Sequence, residues 1–210
     1  MNKVIDTVNR LRASEIKDII NTCMQEFSSF RNKPSNELFK ELCFCLMTAN
    51  FSAHGGIKIQ NAINDGFLHL EEVQLARQLS ELGHRFPNAR ARFVVLAREH
   101  KDNIKEILEK IGDEKAMRNW LADSIKGLGM KESSHFLRNI GYKNVAIIDF
   151  HIIDLLVREG LIDKPKSKSL TPKKYLEIES VLNKIAEETN LSLGELDLYL
   201  WYEETGKILK

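Results

Sequence analysis

The stretch Ile125-Lys126-Gly127-Leu128-Gly129-Met130-Lys131, followed by Asp149-Phe150-His151, decides how this chain folds. Upstream of it, Met117, Trp120, Leu121 and Ile125 recur at helical spacing. Asp113 is placed to cap that helix and Gly127 to end it. A second helix reads from Met130 to Ile140, with Phe136, Leu137 and Ile140 as its apolar face and Gly141 behind it. The pattern is helix, Gly-apolar-Gly turn, helix. Two glycines permit a tight turn and close approach by another backbone. The turn opens a helix whose first N–H groups have no partner within the helix, a setting suited to a phosphate. An ordinary helical hairpin has the same outline.

Two charged residues sharpen the reading. Lys131 stands in the first turn of the second helix, and the positive end of a helix dipole is a poor place for a cation. Asp149 follows the apolar, buried-looking run Val145-Ala146-Ile147-Ile148 and opens a third helix ending near Gly160. As the residue before a helix it reads as an N-cap, a role that leaves room for another.

Together, Gly127-Leu128-Gly129-Met130-Lys131 and Asp149-x-His151 resemble the helix-hairpin-helix, Gly/Pro-Asp superfamily of DNA glycosylases, and most closely the archaeal-type 8-oxoguanine DNA glycosylase/lyases. The resemblance implies an all-α fold, with two helical domains flanking a cleft and the hairpin at its border. Residues 35–131 would form the central bundle, and 1–34 with 132–210 the second domain. It makes Lys131 the nucleophile and Asp149 its partner. Met47-Thr48-Ala49-Asn50 resembles the segment whose amide, here Asn50, enters the gap left by a flipped base. Leu82-Gly83 and Ala89-Arg90-Ala91-Arg92-Phe93 resemble a DNA-facing loop and helix, giving Arg90 and Arg92 as DNA contacts beside the hairpin glycines Gly127 and Gly129. Base recognition would fall to Trp201, Lys210 and Phe86. The family needs no metal and no cofactor. Its partner is double-stranded DNA carrying a damaged base, which it meets as a monomer in the cytoplasm at the nucleoid.

Composition sets outer limits. With 210 residues, 43% of them hydrophobic, the chain has material for one or two packed domains and is not disordered. A net charge of +1 argues against a general polyanion binder while allowing a local basic face. The three cysteines, Cys23, Cys43 and Cys45, sit in apolar helical patterns and read as buried thiols. Their spacing fits neither zinc nor an iron–sulfur cluster. No run reaches transmembrane length and no signal peptide is visible.

Taken in order, Ser14 precedes an apolar stripe of Ile16, Ile19, Ile20, Cys23, Met24 and Phe27. A new helix starts at Pro34-Ser35 and is apolar nearly all round from Leu42 to Met47, hence central. Asn50 to Gly56 reads as a turn, where Asn50 is a helix cap or a ligand contact. Ile59, Ala62 and Ile63 make a short helix, and Val73, Leu75, Ala76 and Leu79 another. His84 to Asn88 is a loop with Asn88 able to cap the next helix, which carries Arg90, Arg92 and Arg98. Lys164, Lys166, Lys168, Lys173 and Lys174 mark an exposed basic loop. Thr171-Pro172 starts a helix, and Ser192-x-x-Glu195 is a capping box for the last one. That last helix is too apolar for a single stripe, so Leu200 and Trp201 point in different directions.

The implied chemistry is attack by a lysine amine on the sugar C1′ of an extruded nucleotide. A free lysine has a pKa near ~10.4, so removing its proton at neutral pH costs about 4–5 kcal/mol. A desolvated site and a helix N-terminus both lower that cost. Lys131 with Asp149 favours an enzyme over a non-catalytic helix-hairpin-helix binding module, which needs the glycines alone. The same chemistry on an oxidised pyrimidine is the nearest alternative substrate class.

Overall fold

The computed structural model describes residues 1–167 and 169–210; Lys168, counted above in the basic loop, lies outside the described residues. These contain thirteen α-helices, a single 3-10 turn and no strand. The helices are α1 (Asn2–Arg12), α2 (Ile16–Phe30), α3 (Ser35–Thr48), α4 (Ala53–Ile63), α5 (Gly66–His69), α6 (Glu72–Glu81), α7 (Pro87–Ala97), α8 (Ile104–Ile111), α9 (Glu114–Ser124), α10 (Met130–Asn139), α11 (Phe150–Arg158), α12 (Pro172–Thr189) and α13 (Leu193–Thr205). No helix among them is long and apolar enough to cross a membrane.

The buried side chains form two cores. The first is centred on α3, whose residues Leu42 to Met47 are all 0% exposed, and gathers Ile59, Leu75, Val94, Leu108, Leu121, Phe136 and Leu137 around it. The second joins Val8 and Ile20 from the N-terminus to Leu156, Ile178, Leu182, Leu196 and Leu200. The apolar face of α10 belongs to the first core, while Met130 at its start packs on the second. Helix α10 is therefore a wall shared by both.

Capping signals translate directly into structure because they are local. Asp113 accepts from Ala116 N at 2.8 Å, Asp149 from Ile152 N at 3.0 Å, and Thr171 from Lys174 N at 3.3 Å. Ser192 and Glu195 form the reciprocal box. Other expectations fail for tertiary reasons. Ile19 and Val73, read as core, are 50% and 81% exposed. Asn88 lies inside α7, which begins at Pro87 with Phe86 as an N-cap that makes no side-chain bond. Helix α4 starts at Ala53, so Gly55 and Gly56 are helical and do not form the expected turn. A Cβ on Gly56 would stand 2.7 Å from the Thr48 methyl, so this glycine serves close packing of α4 on α3.

The strand-like run Val145–Ile148 is buried but pairs with no other strand among the described residues. Its backbone groups are met by side chains of α12. Tyr175 Oη donates to Ala146 O at 2.6 Å and accepts from Ile148 N at 3.2 Å, while Glu179 accepts from Ala146 N at 3.3 Å. Glu179 in turn pairs with the fully buried Arg118 of α9.

Helix α9 stops at Ser124, and the turn follows with Leu128 N donating to Ile125 O at 3.1 Å. Gly127 has φ +99°, and a Cβ there would lie 2.4 Å from the Phe93 ring of α7. Left-handed strain and overpacking both act, so Gly127→Ala should lower the unfolding free energy by roughly 2–5 kcal/mol. Gly160 has φ +66° with open space around it. Gly160→Ala should therefore cost only about 1–2 kcal/mol. Urea unfolding of the two variants checks this, and equal losses would show that Phe93 does not constrain the turn.

Candidate active site

Gly129 is the N-cap residue of α10 and makes no side-chain cap, so the helix begins with uncapped N–H groups. Its backbone is extended, and a Cβ would meet only a Glu132 oxygen at 3.4 Å. Conformation demands a glycine at 127, whereas at 129 the space over the helix start is what stays open. Lys131, with its side chain one-quarter exposed, sits at this N-terminus, and its Nζ is 3.9 Å from Glu132 Oε1. Glu132, which no sequence motif singles out, places a carboxylate beside the cation at the positive end of the dipole.

The buried strut 145–148 delivers Asp149 to the start of α11. The cap uses only Oδ1, so the second oxygen is not needed for it. Asp197 of α13 connects this residue with Lys131, because its buried carboxyl responds to both charges. Burial is the main cause that pushes the Asp197 pKa up to about 6; Asp149 adds to the rise, and Arg138 and Lys131 oppose it. Arg138 Nη1 donates directly to Asp197 Oδ2.

From Arg138 a chain of buried polar groups continues. Its guanidinium donates to Asn139 Oδ1 at 2.9 and 3.1 Å, and Asn139 Nδ2 donates to Glu41 Oε1 at 2.7 Å. Glu41, only 1% exposed, receives Lys210 Nζ at 2.8 Å, and Gln60 Oε1 receives the same ammonium at 2.6 Å. Lys210 also lies 4.6 Å from the centre of the Phe44 ring. The chain end is thus fastened into the first core rather than left frayed. His135, one helical turn beyond Lys131, packs edge-on against Phe44 at 5.6 Å. Burial, then the charges of Arg138 and Lys131, holds its pKa well below the ordinary value, and a backbone bond to Lys210 opposes them.

Trp201 stands edge-on to His151 at 4.9 Å, and Phe150, 66% exposed, stacks beside His151 at 3.9 Å. The Trp201 indole nitrogen is buried and has no hydrogen-bond partner among the described residues. Leu200 is 1% exposed and Trp201 half-buried, so the two do point apart.

Asn50 ends α3 in the left-handed region, φ 59°, and is exposed; Phe86 is 44% exposed. Arg92 is exposed on α7. Arg90 differs from the surface contact expected of it: it is 6% exposed, and its Nη2 donates to Ala49 O at 2.7 Å. The bond from Nη2 holds the Asn50 turn, and the guanidinium lies in the interior, not on the exposed face of α7. Among the described residues no three His, Cys, Asp or Glu side chains gather as a metal site requires.

An all-α chain whose Gly-x-Gly hairpin presents a lysine at an open helix start, followed by an aspartate that caps the next helix, has the form of a helix-hairpin-helix DNA glycosylase. The comparisons narrow this. The sequence model of the 8-oxoguanine DNA glycosylase family matches residues 20–191. The 8-oxoguanine DNA glycosylase/AP lyase of Methanocaldococcus jannaschii is 55% identical over 207 residues, 99% of each chain. That of Korarchaeum cryptofilum is 51% identical over 210 residues, covering 100% of this chain and 99% of its own. The crystal structure of the M. jannaschii enzyme in complex with 15mer DNA containing 8-oxoguanine superposes with a TM-score of 0.96 at 54% identity, over 99% of this chain and 100% of that one. The Thermotoga maritima enzyme gives 0.93 at 41% identity, over 100% and 99%. This chain belongs to the 8-oxoguanine DNA glycosylase family.

The Asp197 shift has a measurable sign. A carboxyl pKa raised from 3.8 to about 6 means the native state holds the proton more tightly than the unfolded chain. That stabilisation is complete below the unfolded value and is lost as pH rises through the folded one. Asp197→Asn removes it. Relative to the parent, the variant should therefore gain unfolding free energy as pH goes from about 4 to 7. Parallel denaturant titrations across that range check this, and a difference independent of pH would contradict it.

Proposed function

We propose that this chain excises 8-oxoguanine from duplex DNA and cleaves the resulting abasic strand, with Lys131 as nucleophile and Asp149 as its partner. One observation carries the assignment of roles: Lys131 stands in the first turn of a helix left uncapped behind the Gly-x-Gly turn, while a buried extended segment delivers Asp149 to the start of α11 with one carboxylate oxygen not used by the cap. In the proposed reaction the Lys131 amine attacks C1′, and the base departs with the electrons of the glycosidic bond and takes up a proton. The bound nitrogen loses a proton, its lone pair then expels O4′, which takes up a proton as the sugar ring opens, and the resulting protonated imine acidifies C2′; removal of a C2′ proton expels the 3′ phosphate by β-elimination. Asp149 stabilises the positive charge that develops on the sugar and relays the proton.

The two cores act as the lobes of a clamp with α10 as their common wall; the expected division of 35–131 against 1–34 with 132–210 moves past the hairpin, because Phe136, Leu137, Ile140, Tyr142 and Val145 pack in the first core. The Gly127 and Gly129 amides and Arg92 hold phosphates. Asn50 enters the duplex where the nucleotide leaves it, and Phe86, expected as a base contact, is reassigned to enter there with it, because it is exposed on the loop that His84 joins to the end of α3. Trp201 stacks on the extruded base, and the terminal carboxylate of Lys210 reads it. 8-Oxoguanine presents an N7–H donor where guanine presents an acceptor, so a fixed acceptor separates the two. The ammonium clamp of Glu41 and Gln60 supports this role, since discrimination needs a terminus that does not move. The enzyme works wherever the cell keeps its DNA.

Lys131→Gln should abolish both the borohydride-trapped complex and strand cleavage while duplex binding persists. Full trapping by the folded variant would remove Lys131 from the chemistry. Deleting Lys210 displaces the carboxylate by up to about 3.5 Å, beyond what a hydrogen bond tolerates. The ratio of 8-oxoguanine to guanine excision should then narrow, while cleavage at a pre-formed abasic site continues. Lys210→Met keeps the carboxylate and loses the ammonium clamp, so it should narrow the ratio less. Single-turnover assays on the three duplexes decide, and an unchanged ratio after truncation would exclude the terminus as the reader.

A further inference from the structure

His84 has no part in the reaction above, yet it is only 4% exposed and both of its ring nitrogens are engaged. Past the end of α6 at Glu81, Gly83 has φ +85°, with Gly83 N donating to Ser80 O and His84 N to Leu79 O, each at 2.9 Å. That double closure fixes the His84 backbone to the helix end. Its Nδ1 is 3.0 Å from Phe86 N, and its Nε2 is 3.0 Å from Met47 O. A backbone N–H only donates and a carbonyl only accepts. Nδ1 must therefore be bare, and Nε2 must carry the proton. One neutral tautomer satisfies both ends, and a doubly protonated ring would turn an N–H toward the Phe86 N–H. Burial, and secondarily Arg90, moves the His84 pKa below its ordinary value, against the pull of the Met47 bond. The ring also lies 4.6 Å from that of Phe51, the residue after Asn50.

The two ends of this bridge are informative. Met47 O and Ala49 O belong to the final turn of α3, where carbonyls lack helical partners. One is taken by His84 and the other by Arg90, both from the α6–α7 side. Asn50 and Phe86, beside these contacts, are both exposed, as is Arg85 between His84 and Phe86. Loops that carry two separate side chains into a duplex ordinarily move independently, and ordering them costs binding energy.

We infer that His84 is a positioning residue that ties the Phe86 loop to the end of α3, so that Asn50 and Phe86 meet the duplex as one rigid wedge. This rests on the proposed entry of those two side chains into DNA. Base extrusion depends on the bridge; attack at C1′ does not.

The two halves of the bridge can be cut separately. His84→Asn keeps an acceptor near the Nδ1 position for Phe86 and loses Met47. His84→Gln keeps a donor near the Nε2 position for Met47 and loses Phe86. Each variant should lower single-turnover excision of 8-oxoguanine from paired duplex by roughly three- to tenfold, the scale of one hydrogen bond. Cleavage of a pre-formed abasic site in the same duplex, which has no base pair to open, should fall much less. A merely structural role would lower both in proportion, and that outcome overturns the inference. Asn50→Ala and Phe86→Ala are the reference arms. If neither changes the ratio of the two rates, the wedge reading itself fails. If both change it and the His84 variants do not, only the bridge fails. Nitrogen-15 NMR of the parent protein gives a test independent of any variant's folding: the His84 ring should be the neutral Nε2–H tautomer at neutral pH. A ring protonated at Nδ1 would overturn the bridge.

Discussion

Burying an extended stretch of chain without a sheet is the constraint on which this structure turns. Val145 to Ile148 runs through the interior, and its amides and carbonyls demand partners there. Tyr175 and Glu179 supply them, and Glu179 is itself neutralised by the buried Arg118. Removing one member of that pair would strand a charge in the interior. The strut ends at Asp149, so the side chain proposed as the partner of Lys131 is placed by a buried, hydrogen-bonded segment. Helix capping then fixes its rotamer, and a carboxylate held at a helix start needs no reorganisation as positive charge develops nearby.

A second constraint joins the two cores. Asp197, Arg138, Asn139, Glu41, Gln60 and Lys210 form one hydrogen-bonded path from α13 through α10 and α3 to the chain end. Such a path is worth having only when every member is satisfied, because a half-made buried network is costlier than an apolar one. Helix α10 carries its middle section. Lys131 and His135 lie one turn apart on that helix, and Arg138 and Asn139 follow on the next. The residue that would attack the sugar and the residues that lock the lobes together are therefore spaced by helix geometry alone. Lys210 is tied by its ammonium to the same network.

Much of this was written locally. The Gly127-Leu128-Gly129 turn, the caps at Asp113, Asp149, Thr171 and Ser192, and the all-round apolar α3 were legible because each depends on residues a few positions apart. Gly127 needs its positive φ whatever surrounds it. The sequence could also name Lys131, Asp149, Trp201 and Lys210 as candidates, through motif and resemblance.

What it could not show was which side chains meet across the fold. Arg90 reads as a surface cation until Ala49 O is found beside it. Gly55 and Gly56 read as a turn until Phe51 and Thr48 are found against them. Glu41, in the middle of a core helix, looks like an error in the apolar pattern until Asn139, Gln60 and Lys210 converge on it from 98, 19 and 169 residues away. His84 carries no local signal at all. By itself the sequence determined the helices, their caps and the hairpin, because hydrogen bonds within a turn depend on neighbours in the chain. Only the tertiary structure decided which buried polar groups find partners, because that depends on which helices pack together, and no short-range pattern encodes it.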